Sequence, residues 1–171
     1  MRIELDKLAE AGGKFSRTYG VDDLALDDAG LSIRRPVTVH GQLSRGGNEV
    51  KLSGELEGQL EVPCARCLKP VELPIDAKFA ERFVPVVSWR DEEQHELRSD
   101  ELDLAVFDGE AIDLNEVVRE EIILAAPDHV LCKDDCKGLC PNCGIDRNLE
   151  ACTCERRDID SRWEKLRELQ S

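Results

Sequence analysis

Six of the eight cysteines in this chain fall between positions 132 and 154: Cys132, Cys136, Cys140, Cys143, Cys152 and Cys154. The other two, Cys64 and Cys67, form a separate Cys-x-x-Cys pair. The sharpest chemistry lies in Cys140-Pro141-Asn142-Cys143-Gly144. A Cys-x-x-Cys turn aims two thiolates at one ion while its amides face the sulfurs, and Gly144 lets the chain reverse behind it. Cys152-x-Cys154 follows and can complete a tetrahedral, four-thiolate site. Zn²⁺ suits such a closed site, so a colourless zinc protein is expected; iron in the same turn would give a red one.

The cysteine count leaves two schemes open. In the first, Cys140, Cys143, Cys152 and Cys154 hold one ion while Cys64, Cys67, Cys132 and Cys136 hold a second, pinning the tail to the rest of the chain. In the second, one ion takes four of the six tail cysteines, and Cys64 and Cys67 stay reduced and buried. His129, three residues before Cys132, could substitute as a ligand, although a surface position is the plainer expectation. Disulfides are disfavoured. The chain starts Met1-Arg2-Ile3-Glu4-Leu5-Asp6-Lys7 with no signal-like apolar run, and no stretch approaches the roughly 18 apolar residues of a membrane span. A reducing, cytoplasmic setting is expected, where clustered thiols bind metals or do redox chemistry. A redox pair would want a helix start within a βαβ pattern, and these flanks are polar turns.

No catalytic pattern accompanies the cysteines. There is no Gly-x-Ser-x-Gly, phosphate loop or His-Glu-x-x-His, and His40, His95 and His129 are scattered. An all-cysteine site is closed and structural, so a non-enzymatic binding protein without a small-molecule substrate is expected. Charge narrows the partners. With 23 Lys+Arg against 37 Asp+Glu the net charge is −14, and such a body repels phosphates. Either the partner is basic or RNA is touched at one local spot. Lys133, Lys137, Arg147, Arg156 and Arg157 are the candidate RNA-binding cations, with Asp134, Asp135, Asp146 and Glu150 interleaved among them.

The elements that must position these residues read as α+β. Residues 1–90 form a β-rich body: a short strand at the start, an extended piece from Phe15 to Val21, then clear alternation. Leu31, Ile33, Val37, Val39 and Leu43 share one parity, and Arg45-Gly46-Gly47-Asn48 is a hairpin turn. Val50, Leu52, Leu56, Leu60 and Val62 alternate with polar residues in a long antiparallel strand. Gly54 and Gly58 lie on its apolar parity, where a sheet bends or another backbone approaches; the curl could close a small barrel. Cys64 to Cys67 then occupy a turn before Val71, Leu73, Ile75, Phe79 and Phe83. Residues 91–110, rich in acid, read as a solvated loop. Residues 111–127 read as a helix docked on the body, capped by Asp113 with Glu116 reaching back. Its apolar face is Leu114, Val117, Val118, Ile122 and Ala125, widened by Ile123 and Leu124. Residues 128–157 form the zinc module, and 158–171 a short helix with Trp163, Leu166 and Leu169 on one seam.

Several of these stretches together resemble one family. Cys64-Ala65-Arg66-Cys67-Leu68, Ile112-Asp113-Leu114 with Glu120-Glu121-Ile122-Ile123-Leu124, the run from Leu131-Cys132 to Cys143-Gly144, and Asp160-Ser161-Arg162-Trp163 are similar, in that order, to the YceD family. These are the large ribosomal RNA subunit accumulation proteins. The resemblance implies ribosome biogenesis: support of 23S rRNA accumulation or processing. The implied partner is a large-subunit rRNA precursor or, for an acidic adaptor, a basic ribosomal protein. Because the six-cysteine tail varies within that family, the resemblance does not make metal binding its shared activity.

Overall fold

The computed structural model describes residues 2–4, 12–26, 30–87, 104–154 and 162. Its centre is a five-stranded sheet in the order β2-β3-β4-β5-β6, made of β2 (Gly13–Tyr19), β3 (Ser32–Gly46), β4 (Glu49–Pro63), β5 (Pro70–Pro85) and β6 (Leu104–Phe107). Strand β1 (Arg2–Glu4) pairs with β7 (Ala111–Asp113) in a separate antiparallel ribbon, with Ile3 opposite Ile112. Helix α1 (Leu114–Ala125) follows β7 directly.

The alternation in the sequence maps onto the burial. Val50, Leu52, Leu56, Leu60 and Val62 on β4 all point into the core, as do Val37, Val39 and Leu43 on β3. The Gly46–Glu49 pairing leaves Gly47 and Asn48 as the hairpin turn, with Gly47 at φ 64°. Beyond the turn the strands run in register until a bulge in β3 between Ile33 and Thr38. There Val37 comes so close to Gly58 that a Cβ on the glycine would lie 2.8 Å from the valine methyl. The glycines on the apolar parity are thus points of close approach.

The curl does not close into a barrel. Among the described residues β2 and β6 pair on one side only, and the open core face is covered instead by α1, the β1–β7 ribbon and the segment carrying Leu24, Leu26 and Leu31. The sheet is also not wholly antiparallel, because β6 runs parallel to β5, with Phe83 opposite Ala105. Residues 104–107, read from sequence as part of an acidic loop, are this strand. The run Leu-Ala-Val-Phe is a half-buried edge strand, with Val106 exposed, that the surrounding carboxylates obscured, and Phe107 meets the ring of Phe83 edge-on at 6.3 Å. Residues 91–103 of that loop and the terminal helix with Trp163, Leu166 and Leu169 lie outside the described residues.

Helix α1 starts where the sequence indicates, with Asp113 accepting from the Asn115 amide at 2.9 Å. It begins at Leu114, since residues 111–113 are strand. It ends at the extended Ala126, as the residue before a proline is steered away from helical dihedrals. Leu114, Val117, Val118 and Ile122 are buried, whereas Leu124 is 77% exposed and does not belong to the docked face. Arg119 donates to the Ala25 carbonyl at 2.7 Å, fastening the helix to the segment after β2.

Glu81 on β5 and Glu121 on α1 face each other across the helix–sheet contact. Burial, followed by the hydrogen bond and charge of Glu121 and the charge of Glu120, pushes Glu81 up to about 7; burial also raises Glu121. The native state therefore holds a proton that the unfolded chain gives up near the ordinary value of 4.5. Because the folded state binds more protons between those two values, its stability is full below the lower one and falls as pH rises through the upper. Thermal melts from about pH 5 to about pH 7 should show a declining midpoint. Glu81→Gln should flatten the decline, and an equal slope in that variant would contradict the assignment.

Candidate metal centres

The turn between β4 and β5 is a metal knuckle in its hydrogen bonding. Cys64 N–H donates to the Lys69 carbonyl at 2.8 Å, and Leu68 N–H donates back to the Cys64 carbonyl at 2.9 Å. The tail is laid against this turn by four further bonds among the described residues: Ala65 N–H to the Val130 carbonyl, Leu139 N–H to the Arg66 carbonyl, the Arg66 guanidinium to the Cys136 carbonyl, and Cys132 N–H to the Cys64 sulfur. Cys132 and Cys136 are thereby carried onto Cys64 and Cys67. The Sγ–Sγ separations are 3.8 Å for Cys64–Cys136 and 3.5 Å for Cys67–Cys132, and the four sulfurs all lie within 4.8 Å of one another.

Within the tail the second knuckle repeats the first. Gly144 N–H donates to the Cys140 carbonyl at 2.9 Å, as Leu68 N–H does to Cys64. Cys152 and Cys154 return to it, with Sγ–Sγ separations of 3.3 Å for Cys140–Cys152 and 3.6 Å for Cys143–Cys152. Here too the four sulfurs lie within 4.8 Å of one another. All eight thiols are free, and no separation approaches the roughly 2.05 Å of a disulfide. A tetrahedral zinc site with Zn–S near 2.3 Å has sulfur–sulfur edges of about 3.8 Å. Both quartets fit that ion, and their four-sulfur donor sets leave no coordination position for a substrate. Of the two schemes open at the sequence level, the geometry is that of two quartets. His129 is in neither of them.

Amides and neighbouring thiols divide each quartet into easily and reluctantly ionised members. The Cys67 N–H, with further amides, draws Cys64 down to about 6, and the Cys143 and Asn142 N–H groups do the same for Cys140. The thiol of Cys67 pushes Cys132 up to about 12, and that of Cys152 does the same to Cys154. Four adjacent sulfurs cannot all be thiolates without a cation among them. A divalent ion bound there therefore displaces protons, and its retention depends on pH. The quartets differ in exposure: Cys64, Cys67 and Cys136 are buried, while Cys143 and Cys154 are exposed.

One ion pair joins the two centres. Lys69, from the first knuckle, meets Asp146, beside the second, at 2.8 Å. That contact and the Asn148 amides hold the Asp146 carboxyl at about 2. Asn148 also donates to the Cys136 sulfur at 3.5 Å and accepts from the Lys137 amide at 2.8 Å. Sequence reasoning did not single out Lys69, Asp146 as a partner, or Asn148, because nothing in their spacing records the return of the tail.

Nor did it single out Leu68. This residue stands where the second knuckle has Gly144, and both have positive φ, 60° and 74°. Aligning the two Cys-x-x-Cys motifs is the signal that would have found it. A left-handed residue with a Cβ costs about 1–2 kcal/mol, and a glycine there costs about 0.5–1 kcal/mol through the freer unfolded chain. Leu68→Gly should therefore leave folding stability unchanged or up to about 1 kcal/mol higher, with metal content intact. A clear fall in the melting temperature would mean that the leucine side chain supports the fold.

Of the candidate RNA-binding cations, Lys133 is paired with Asp135 at 3.5 Å. Lys137 and Arg147 are exposed and lie near each other, since Arg147 N–H donates to the Gly138 carbonyl at 3.0 Å. Arg156 and Arg157 lie outside the described residues.

Comparison with known proteins places these centres in a family context. The family described as large ribosomal RNA subunit accumulation protein YceD matches residues 52–170, which include both quartets. An uncharacterized protein of Mycobacterium tuberculosis is 32% identical over 153 residues, covering 88% of this chain and 67% of its own length. The uncharacterized protein YlbN of Bacillus subtilis is 23% identical, covering 97% of this chain and 92% of its own. A maize chloroplastic protein named a homologue of the large ribosomal RNA subunit accumulation protein is 26% identical, covering 78% of this chain and 54% of its own. No solved structure matches.

Proposed function

This chain belongs to the YceD family of large ribosomal RNA subunit accumulation proteins, and from that premise we propose that it supports large-subunit rRNA accumulation as a non-catalytic binding factor with two zinc ions. The observation carrying the non-catalytic reading is the donor set: eight sulfurs in two complete quartets, with no position left open for a substrate. Cys64, Cys67, Cys132 and Cys136 hold one ion and clamp the tail to the end of the sheet. Cys140, Cys143, Cys152 and Cys154 hold the other and shape the tail. Zinc supplies structure in both.

Two partners fit this role, a large-subunit rRNA precursor and a basic ribosomal protein. The net charge of −14 favours the protein. The tagged protein is expected to co-sediment with large-subunit precursors. Under the adaptor reading it stays with the ribosomal proteins after ribonuclease treatment, whereas release would assign the contact to RNA. Charge reversal at Lys137, Arg147 and Arg156 separates the two again, because only an RNA contact is weakened by it. No association with precursors at all would remove the ribosomal reading.

A further inference from the structure

The two quartets differ in how an incoming oxidant meets them. In the first, Cys64, Cys67 and Cys136 are at most 5% exposed, and only Cys132 reaches the surface. The chain there is pinned, by the Ala65 amide on the Val130 carbonyl and by the Cys132 amide on the Cys64 sulfur. In the second, Cys143 and Cys154 are exposed and Cys152 is partly so, which leaves only Cys140 buried. The last backbone-to-backbone bond before the final two thiols runs from Glu150 N–H to the Asp146 carbonyl. Among the described residues, 151–154 make no such bond.

Exposure and slack coincide at one pair of sulfurs. A disulfide brings its sulfurs to about 2.05 Å with a dihedral near 90°, so at least one of the two chains must yield. Cys143 and Cys152 start 3.6 Å apart, with Cys152 on the slack segment. We propose that the second quartet is an oxidation site for hydrogen peroxide, at which Cys143 and Cys152 are joined and one zinc ion is released while the first centre keeps its own. The exposed Cys143 thiolate attacks one peroxide oxygen; the O–O bond breaks, the sulfur becomes a sulfenic acid and hydroxide leaves. The Cys152 thiolate then attacks that sulfur, the S–O bond breaks and a second hydroxide leaves. Two electrons pass from the sulfurs to the peroxide, and solvent protons turn both hydroxides into water. An ion left with two of its four donors is no longer held. The inference rests on the two-zinc reading. Because Cys64, Cys67, Cys132 and Cys136 keep their ion, residues 130–139 stay on the β4–β5 turn and the change is confined to the tail beyond them.

The test exposes the zinc-loaded, full-length protein to stepwise additions of hydrogen peroxide. Released zinc is followed with a chromogenic chelator, and disulfides are mapped by mass spectrometry after the remaining thiols are alkylated. One of the two ions should be released, together with a peptide pair linked through Cys143 and Cys152, while Cys64, Cys67, Cys132 and Cys136 are recovered as alkylated thiols. Dithiothreitol with added zinc should restore the second ion. The Cys64→Ser, Cys67→Ser variant should lose its single ion to peroxide, and the Cys140→Ser, Cys143→Ser variant should keep its own. Release of both ions together, zinc loss without a disulfide, or a first link at Cys67–Cys132 or Cys140–Cys152 would each overturn the proposal. So would zinc lost to the chelator before any peroxide is added. If the untreated protein carries a single zinc, the two-zinc reading falls, and the mapped Cys143–Cys152 link still decides for or against the oxidation site. Two ions at the start and no such link would keep the two-zinc reading and remove the oxidation site.

Discussion

Purified without chelators, the protein is expected to carry two zinc ions per chain, and the double variant Cys64→Ser, Cys67→Ser only one. The four sulfurs of the first quartet lie within 4.8 Å of one another, so removing two donors leaves an incomplete set. A structural zinc site contributes an apparent binding free energy on the order of 10 kcal/mol or more at neutral pH. Part of that energy holds residues 130–139 against the β4–β5 turn, alongside the direct bonds of Ala65 to Val130, Leu139 to Arg66, Arg66 to Cys136 and the Cys132 amide to the Cys64 sulfur. Limited proteolysis should therefore cut the double variant within the tail while the sheet survives. Cys140→Ser with Cys143→Ser should also carry one zinc but keep residues 130–139 protected. Elemental analysis decides the count. Unchanged stoichiometry in the Cys64, Cys67 variant would mean that the buried pair never held an ion.

A second large effect is expected at the paired glycines in the middle of the sheet. Gly41 and Gly54 face each other in the β3–β4 register, with Phe15 beside the first and Phe79 beside the second. The two rings fold inward across the glycines. A Cβ at Gly54 would sit 2.7 Å from both the His40 carbonyl oxygen and the Phe79 ring, and one at Gly41 would sit 2.6 Å from the Ser53 carbonyl oxygen as well as against the Phe15 ring. A ring can rotate away, but a ladder carbonyl cannot move without loosening the sheet. Gly54→Val should cost about 3 kcal/mol or more and lower the melting temperature by roughly 10 °C. Gly46→Ala is the control, since nothing lies within 4 Å of that position. Equal melting temperatures for the two variants would show that the sheet is looser there than the packing implies.

Much of this architecture was legible in the residues. The alternation from Val50 to Val62 set β4 and its inward face, and Gly46-Gly47 marked the hairpin. The Cys-x-x-Cys spacings marked both knuckles. What escaped depends on partners distant in the chain. Strand β6 was hidden because Leu104–Phe107 is only four residues long, sits among acids, and is recruited by a parallel pairing that leaves no local period. The barrel expectation failed because alternation reports which face is buried, not whether the outer strands meet. Here α1 and the β1–β7 ribbon cover the face that closure would have hidden. Leu124 misled because it continues the apolar run of the helix while pointing away from the sheet. The strain at Leu68 is a property of dihedrals that no residue type announces.

The sequence separation of the ligands gives the two quartets different histories during synthesis. The Cys143–Cys152 and Cys140–Cys152 contacts of the second span 9 and 12 residues, a loop short enough to close as soon as that segment leaves the ribosome. The contacts of the first span 65 and 72 residues. Its later donors emerge only after β5, β6, β7 and α1 have been made, so an ion there closes a loop that contains all four elements. Closing it costs only about 2 kcal/mol more than closing the short one, because closure entropy grows with the logarithm of loop length. A metal seated there ties the first half of the chain to the last, while one in the second quartet ties the tail only to itself.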